Sequence, residues 1–256
     1  MTQDARQIFG QRAAFYSTST NHKDEAVLGR IIDLARPRAN MLVLDVATGT
    51  GHAALAFAPC VKHVAAVDIT PQMIAEGGKL KQEQKAANVH FGLADAHDLP
   101  FADETFDIVN CRLAAHHFRD IHRALREMKR VLKAGCRLVV HDRSVPEDDF
   151  VATTMNRLDI LHDHSHVREY RPSEWARMLE DAAFAVETME TYTKHRPLTS
   201  LIGKADPQDC EEILRIVAGL TASQRAAMNV AAVEGETYTD HWFVIAVAVK
   251  AAAANP

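Results

Sequence analysis

Three aspartates, each closing or entering an apolar run, and a pair of nearby glycines are the residues of this chain best placed to do chemistry. Leu42-Val43-Leu44 leads into Asp45, and Val46-Ala47-Thr48-Gly49-Thr50-Gly51 follows. Val64-Ala65-Ala66-Val67 then delivers Asp68, seventeen residues after Gly51, and Asp95 closes a third run. An apolar run, an acid and a small-residue turn describe a buried strand handing the backbone to a ligand. Only small residues let the main chain come that close. A carboxylate at the tip of a second parallel strand can accept from both hydroxyls of a ribose. A turn that binds pyrophosphate reads G-x-G-x-x-G at a helix N-terminus. Here the spacing is Ala47-x-Gly49-x-Gly51, and the fixed charge of Asp45 repels phosphate but suits an ammonium group. S-adenosylmethionine, with its ribose, adenine and amino-acid tail and no phosphate, meets these conditions.

Histidines are the second chemical resource, fourteen in 256 residues. His116-His117 follow the fourth apolar run and His141-Asp142 end the fifth. An imidazole titrates near neutral pH and can accept a proton from a reacting group. His117 is assigned to the substrate side and His116 to the cofactor or the loop backbone, a choice that rotamers decide. Loop shaping by hydrogen bonds is an equally weighted reading of both. His141 is a second base candidate, with Asp142 to orient its ring. His162, His164 and His166 alternate, so in an extended chain they point to opposite faces and do not converge on an ion. In a helix, His162 and His166 share a face and could supply two ligands. No metal is expected.

These residues need elements to hold them. Apolar Val27, Leu28, Ile31, Ile32 and Leu34 predict a helix over 23–36, ended by Pro37. Strands are predicted at 41–46, 61–67, 88–93, 106–111, 136–141, 184–193 and 238–250. Helices are predicted at 51–58, from Pro71 to about 87, at 119–132 and at 172–181. The alternation argues an α/β fold: a doubly wound, mostly parallel, seven-stranded Rossmann-like sheet in one domain over 1–256. Residues 147–168 (a helix) and 197–230 (two or three helices) do not fit the sheet. With the N-terminal helices within 1–36, they are read as a lid over the carboxyl edge, where open α/β sheets bind ligands. Structural padding is the other reading.

Asp45 to Gly51, Val67-Asp68-Ile69-Thr70-Pro71-Gln72-Met73 and Ala94-Asp95-Ala96-His97-Asp98-Leu99-Pro100-Phe101 together resemble the class I S-adenosylmethionine-dependent methyltransferases. Within them the chain looks like the branch that contains the ubiquinone/menaquinone C-methyltransferases and many small-molecule methyltransferases. Phe106-Asp107-Ile108-Val109, Ala124-Leu125-Arg126-Glu127 and Val131 to Cys136 extend the likeness, which is close over roughly 40–142. One departure is Ala47, where the family usually has its first glycine. The resemblance implies a last strand inserted antiparallel. It also implies Asp45 towards the methionine ammonium, and Ala47, Gly49 and Gly51 for close backbone approach. Asp68 would take the ribose hydroxyls, Ile69 and Met73 the adenine faces, Asp95 the adenine amino group and Ala96 a ring nitrogen. Arg112 would line the cofactor side after the fourth strand. From the lid, Tyr16, His166, Arg168 and Tyr170 would meet the substrate, with Arg168 suited to a carboxylate. An ion pair with Glu169 or Glu174 is the plainer use of that arginine.

A net charge of −5 and 47% hydrophobic residues describe a sizeable core without a basic field. A small-molecule acceptor is therefore expected rather than nucleic acid. No apolar run approaches about 18 residues, and the four cysteines form no C-x-x-C pair. These features predict a cytoplasmic monomer or homodimer without a membrane span, ending in a frayed alanine-rich tail. The leading expectation is methyl transfer to a small aromatic or heteroaromatic acceptor by in-line displacement. The alternatives are a quinone-pathway C-methyltransferase and a non-catalytic protein that binds S-adenosylmethionine. A nicotinamide oxidoreductase is disfavoured by the turn spacing.

Overall fold

A computed structural model describes residues 5–19, 22–203 and 205–251. The tail after Ala251, expected to fray, lies outside them. Strands β1 (Leu42–Val46), β2 (His63–Asp68), β3 (Val89–Leu93), β4 (Phe106–Arg112) and β5 (Leu132–Ser144) are parallel, in the order β3-β2-β1-β4-β5. Strand β8 (Glu236–Lys250) inserts antiparallel between β5 and β6 (Phe184–Pro197), as the family resemblance implied. The seven expected strands are present, and an eighth, β7 (Ala231–Val233), pairs with β8 through a tight turn at Glu234-Gly235. Both turn residues have positive φ, 51° and 84°, the backbone a two-residue hairpin requires. Three residues of Ala-Ala-Val are too short a run to signal a strand.

Helices α3 (His52–Phe57), α4 (Pro71–Glu83) and α5 (Ile121–Val131) connect the parallel strands, and α7 (Pro172–Asp181) precedes β6. Their starts follow the capping chemistry of the sequence. Asp24 accepts from the Val27 amide at 3.1 Å to open α2 (Glu25–Ala35), and Asp120 accepts from Arg123 at 2.9 Å to open α5. Pro71 occupies the first turn of α4. Alternation along each strand divides the core in two. Leu44, Leu138 and Val140 pack with Leu125, Trp175 and Leu179 on one face, while Val43 and Val139 pack with Ile31, Phe57 and Ile108 on the other.

The strand order reverses at β1, which has β2 on one side and β4 on the other. That switch point leaves a crevice at the carboxyl ends of the strands. Helix α1 (Ala5–Thr18) packs on α4 beside it. The expected helix at 147–168 is α6 (Asp149–His162), followed by a loop. The expected helices at 197–230 are α8 (Thr199–Ile202), α9 (Pro207–Ala218) and α10 (Ala222–Ala227). Together they form a third apolar cluster, in which Met155 and Leu158 of α6 meet Leu201, Ile213 and Val217. Strands β5, β6 and β8 all run further than expected, and β6 and β8 stay paired out to Pro197 and Tyr238. This extended arm carries the insertion helices. No helix among the described residues is long and apolar enough to cross a membrane.

Candidate active site

The turn from β1 to α3 is built on backbone that side chains disfavour. Ala47, Gly49 and Gly51 have φ of 51°, 56° and 88°. A Cβ at Gly51 would stand 2.4 Å from the Phe91 ring, so close packing behind the turn also requires a glycine here. Asp45 is 1% exposed. Its carboxylate accepts from Thr48 Oγ1 at 2.5 Å, the Ala54 amide at 3.1 Å and Asn110 Nδ2 at 2.6 Å. Burial pushes its pKa up, and the Thr48 and Asn110 bonds oppose that. The acid therefore ties the turn to α3 and β4 while bordering the crevice, and Asn110 is a partner that the apolar strand pattern had hidden.

Asp68, 8% exposed, accepts from the Gly49 amide at 2.9 Å on one oxygen and the Thr70 amide at 2.8 Å on the other. Burial raises its pKa and those amides pull it back. The Ile69 amide lowers its pKa as well, and the carboxylate borders the crevice, where it can accept from a ligand. Asp95 stands at the rim, accepting from the His97 amide at 2.9 Å and from His97 Nδ1 at 2.6 Å. Burial acts to raise its pKa, but the His97 bonds hold it below the usual value. The three acids, with Ala47, Gly49, Ile69, Met73, Ala96 and Arg112, line a cavity of ≈ 390 Å³. That volume lies in the usual range for a small-ligand site. Acceptors at Asp68 and Asp95 and the apolar wall of Ile69 and Met73 fit a nucleoside without phosphate, so the residues present suit S-adenosylmethionine. Helix α1 supplies Phe9 and Tyr16 to the same wall, and His52 Nε2 lies 3.1 Å from the Tyr16 carbonyl. The crossing of α1 over the crevice is what sequence reasoning did not locate beyond naming the segment.

A second cavity of ≈ 340 Å³ lies alongside. Phe9, Tyr16, Arg112 and His117 belong to the walls of both. Arg112 also donates to the His22 carbonyl at 3.1 Å, and burial lowers its pKa. His116 and His117 sit on a short turn after β4. Asp142 accepts from the His116 amide at 2.9 Å and lies 2.5 Å from His116 Nδ1. His117 Nδ1 is 3.1 Å from the Ser165 carbonyl, and its ring meets Phe9 edge-on at 4.8 Å. Burial, then the neighbouring His116, pushes the His117 pKa far down.

Two expected site residues, Arg168 and Tyr170, take other places, and His141 has other partners than expected. Asp142 orients His116, not His141, because consecutive residues of β5 face opposite sides of the sheet. His141, on the other face, is 2.9 Å from the Tyr192 hydroxyl and stacks near Phe243, lining only the second cavity. Arg168 turns outward to pair with Glu174 and lies 5.3 Å over the Tyr170 ring. Tyr170 packs edge-on against Trp175 at 5.6 Å, in the core beside the sheet. Neither lines either cavity. A buried arginine near this loop is instead Arg143 of β5, which reaches Asp159 of α6 and Glu169 at 2.5 Å each. The alternating histidines also part company. His162 contacts the Leu201 carbonyl, His164 pairs with Asp209 at the surface, and His166 is buried against His116 and His117.

Comparison with known proteins agrees with this geometry. The methyltransferase-domain family matches residues 44–140. Over 184 residues the chain is 39% identical to YcgJ, an uncharacterized methyltransferase of Bacillus subtilis, spanning 72% of this chain and 73% of that protein. The crystal structure of YcgJ superposes with a TM-score of 0.84 at 32% identity, covering 89% of this chain and 99% of the other. The ubiquinone/menaquinone biosynthesis C-methyltransferase UbiE of Idiomarina loihiensis is 37% identical over 131 residues, 50% of this chain and 51% of that one. The fold, the acid-lined crevice and these relatives lead to one conclusion: the chain belongs to the methyltransferase family and is an S-adenosylmethionine-dependent enzyme.

Proposed function

We propose that the acceptor is a small aromatic or heteroaromatic molecule held in the second cavity, and that His117 takes the proton its nucleophilic atom gives up. The observation that carries this reading is the position of the His117 ring in the wall common to both cavities. When bound, S-adenosylmethionine supplies a methyl group on a sulfonium, an already charged leaving group. The chain then has to align acceptor and methyl, keep water out and accept a proton where the nucleophile carries one. The stacked pair of Tyr192 and Phe243, 5.0 Å apart at 11°, offers a flat apolar wall for a ring. The Ser165 carbonyl can only accept, so the tautomer with its proton on Nδ1 suits His117 and leaves Nε2 as the acceptor. A quinol-like ring, methylated at carbon after loss of a phenolic proton, is the second reading, favoured by the likeness to UbiE over half of each chain.

Asp68 is assigned to the ribose hydroxyls. Asp68→Ala is expected to weaken S-adenosylmethionine binding by roughly 2–3 kcal/mol, the loss of two hydrogen bonds to a charged acceptor. Calorimetry showing unchanged affinity removes that role. The helices α1, α6 and α8 to α10 are assigned as a lid. Limited proteolysis near residues 160–170 is expected to slow when S-adenosylhomocysteine and acceptor are both bound, and ligand-indifferent cleavage makes these helices padding. The acceptor itself is tested by a thermal-shift screen of phenols, quinols and heteroaromatics with S-adenosylhomocysteine present. Hits should release S-adenosylhomocysteine when S-adenosylmethionine is supplied. Transfer of labelled methyl groups to nucleic acid or protein in preference to every such compound overturns the reading.

A further inference from the structure

Two loops far apart in sequence bring three imidazoles together. His116 and His117 follow β4, and His166 lies in the loop after α6. Ring centroids are 4.1 Å apart for His116 and His117, and 4.6 Å from each of these to His166. One ring nitrogen from each lies within 4.8 Å of the others. The loops are fastened without any ligand, since the amides of Val167 and Arg168 both donate to the His116 carbonyl, at 2.8 and 3.1 Å.

We propose that His116, His117 and His166 form a three-imidazole site for one divalent transition ion of the zinc and cobalt type, facing the second cavity. The hydrogen bonds prepare the rings for this. Asp142 accepts from Nδ1 of His116, and the Ser165 carbonyl accepts from Nδ1 of His117. Ser165 Oγ, 3.1 Å from the same nitrogen, spends its own proton on Asp163 at 2.6 Å. Each bond fixes the tautomer whose Nε2 carries a lone pair, the arrangement by which carboxylates and carbonyls orient metal-bound histidines. His166 is 7% exposed, and its Nδ1 has no hydrogen-bond partner among the described residues, so a buried polar atom is left for the site to satisfy.

The three nitrogens lie within 4.8 Å of one another, against the roughly 3.4 Å edge of a tetrahedral zinc site, so at most a small inward turn of the rings closes the site. Imidazole donors select zinc, cobalt, nickel or iron over magnesium and calcium. A competing group, Asp159, His166 and Glu169, has Arg143 against both carboxylates, and that buried positive charge opposes a cation there. Three protein ligands leave a coordination position open, as in catalytic rather than structural zinc sites. What that position is for rests on the reading of the second cavity as the acceptor site, where coordination would acidify an acceptor hydroxyl.

The test uses the full chain without an affinity tag, stripped with chelator and dialysed. Cobalt(II) is titrated by visible absorption and zinc(II) by calorimetry, with S-adenosylhomocysteine binding measured on the same samples. One equivalent per chain is expected, in the micromolar range or tighter. His166→Ala should weaken it by about 100-fold or more, and Asp142→Asn, which only orients a ligand, by about 10- to 100-fold. His164→Ala, at the surface on Asp209, should leave it unchanged. Absence of binding, or affinity indifferent to His166→Ala, overturns the site. If the chain still binds S-adenosylhomocysteine and methylates a small acceptor in that case, the methyl-transfer reading stands without the ion. One bound equivalent in a chain that methylates no small acceptor supports the site and removes that reading.

Discussion

His117→Ala is expected to lower turnover about 10²-fold or more while leaving S-adenosylmethionine affinity nearly intact. The two effects separate because His117 meets the cofactor cavity only at the partition shared with the second, while the acids assigned to the cofactor stand on other elements. Asp68 at the tip of β2 and Asp95 after β3 keep their backbone partners in the variant. What is lost is the ring in the partition between the cavities and its bond to the Ser165 carbonyl. A fall in kcat with an unchanged cofactor Kd places His117 at the transferring step. Wild-type turnover leaves it as a loop-shaping residue. The same ring is a ligand of the proposed metal site, so turnover is compared in metal-stripped and metal-loaded protein. A loss that persists without metal identifies the proton acceptor, and a loss seen only in loaded protein identifies the ligand. Its low pKa keeps the imidazole unprotonated at neutral pH, so the acidic limb of a pH profile for the wild type should lie well below the usual histidine range.

The fold is expected to lose stability as pH falls from 7.5 to 5.5, on the order of 1 kcal/mol for each buried imidazole that stays neutral. His117, His141, His166 and His241 all have pKa values that burial pushes well below 6.5, that of His241 to about 3. Around pH 6 the unfolded chain therefore binds protons that the folded chain refuses. Stability rises with pH wherever the unfolded state binds more protons. The contribution is whole above the unfolded value near 6.5 and drains away as pH falls towards the folded values. Each such group removes about 1.4 kcal/mol per pH unit in that window. Glu169 works in the opposite direction, because burial raises its carboxyl well above the ordinary range and Arg143 only partly offsets this. The net loss is a large share of the roughly 5–15 kcal/mol that holds a domain together. Urea midpoints at pH 7.5 and 5.5, on metal-stripped protein, measure it. Equal midpoints mean that water reaches these rings and lets them titrate as in the unfolded chain.

Residues that act through their neighbours along the chain were legible without coordinates. The apolar runs place β1 to β5 within a few residues, and Asp45, Asp68 and Asp95 come to one edge of the sheet because parallel strands deliver their carboxyl ends to the same side. Pro71 marked a helix start by its fixed φ, while the caps Asp24 and Asp120 fall within one residue of the starts expected from the apolar pattern. Even the cofactor class follows from a turn, an acid and their spacing.

Side-chain partners from distant segments were decided by the tertiary structure alone. Asp142 adjoins His141 in sequence yet serves His116, because β5 runs on to Ser144 and its pleat turns the two side chains apart. His166 keeps company with His116 and His117 rather than with His162 and His164, because the loop after α6 bonds to the His116 carbonyl. Arg168 and Tyr170 leave the site on that same loop, one to Glu174 and one to Trp175. Sequence periodicity reports which face a residue takes within its own element. It carries no record of which other face folds against it, and the histidine cluster exists only at such a junction.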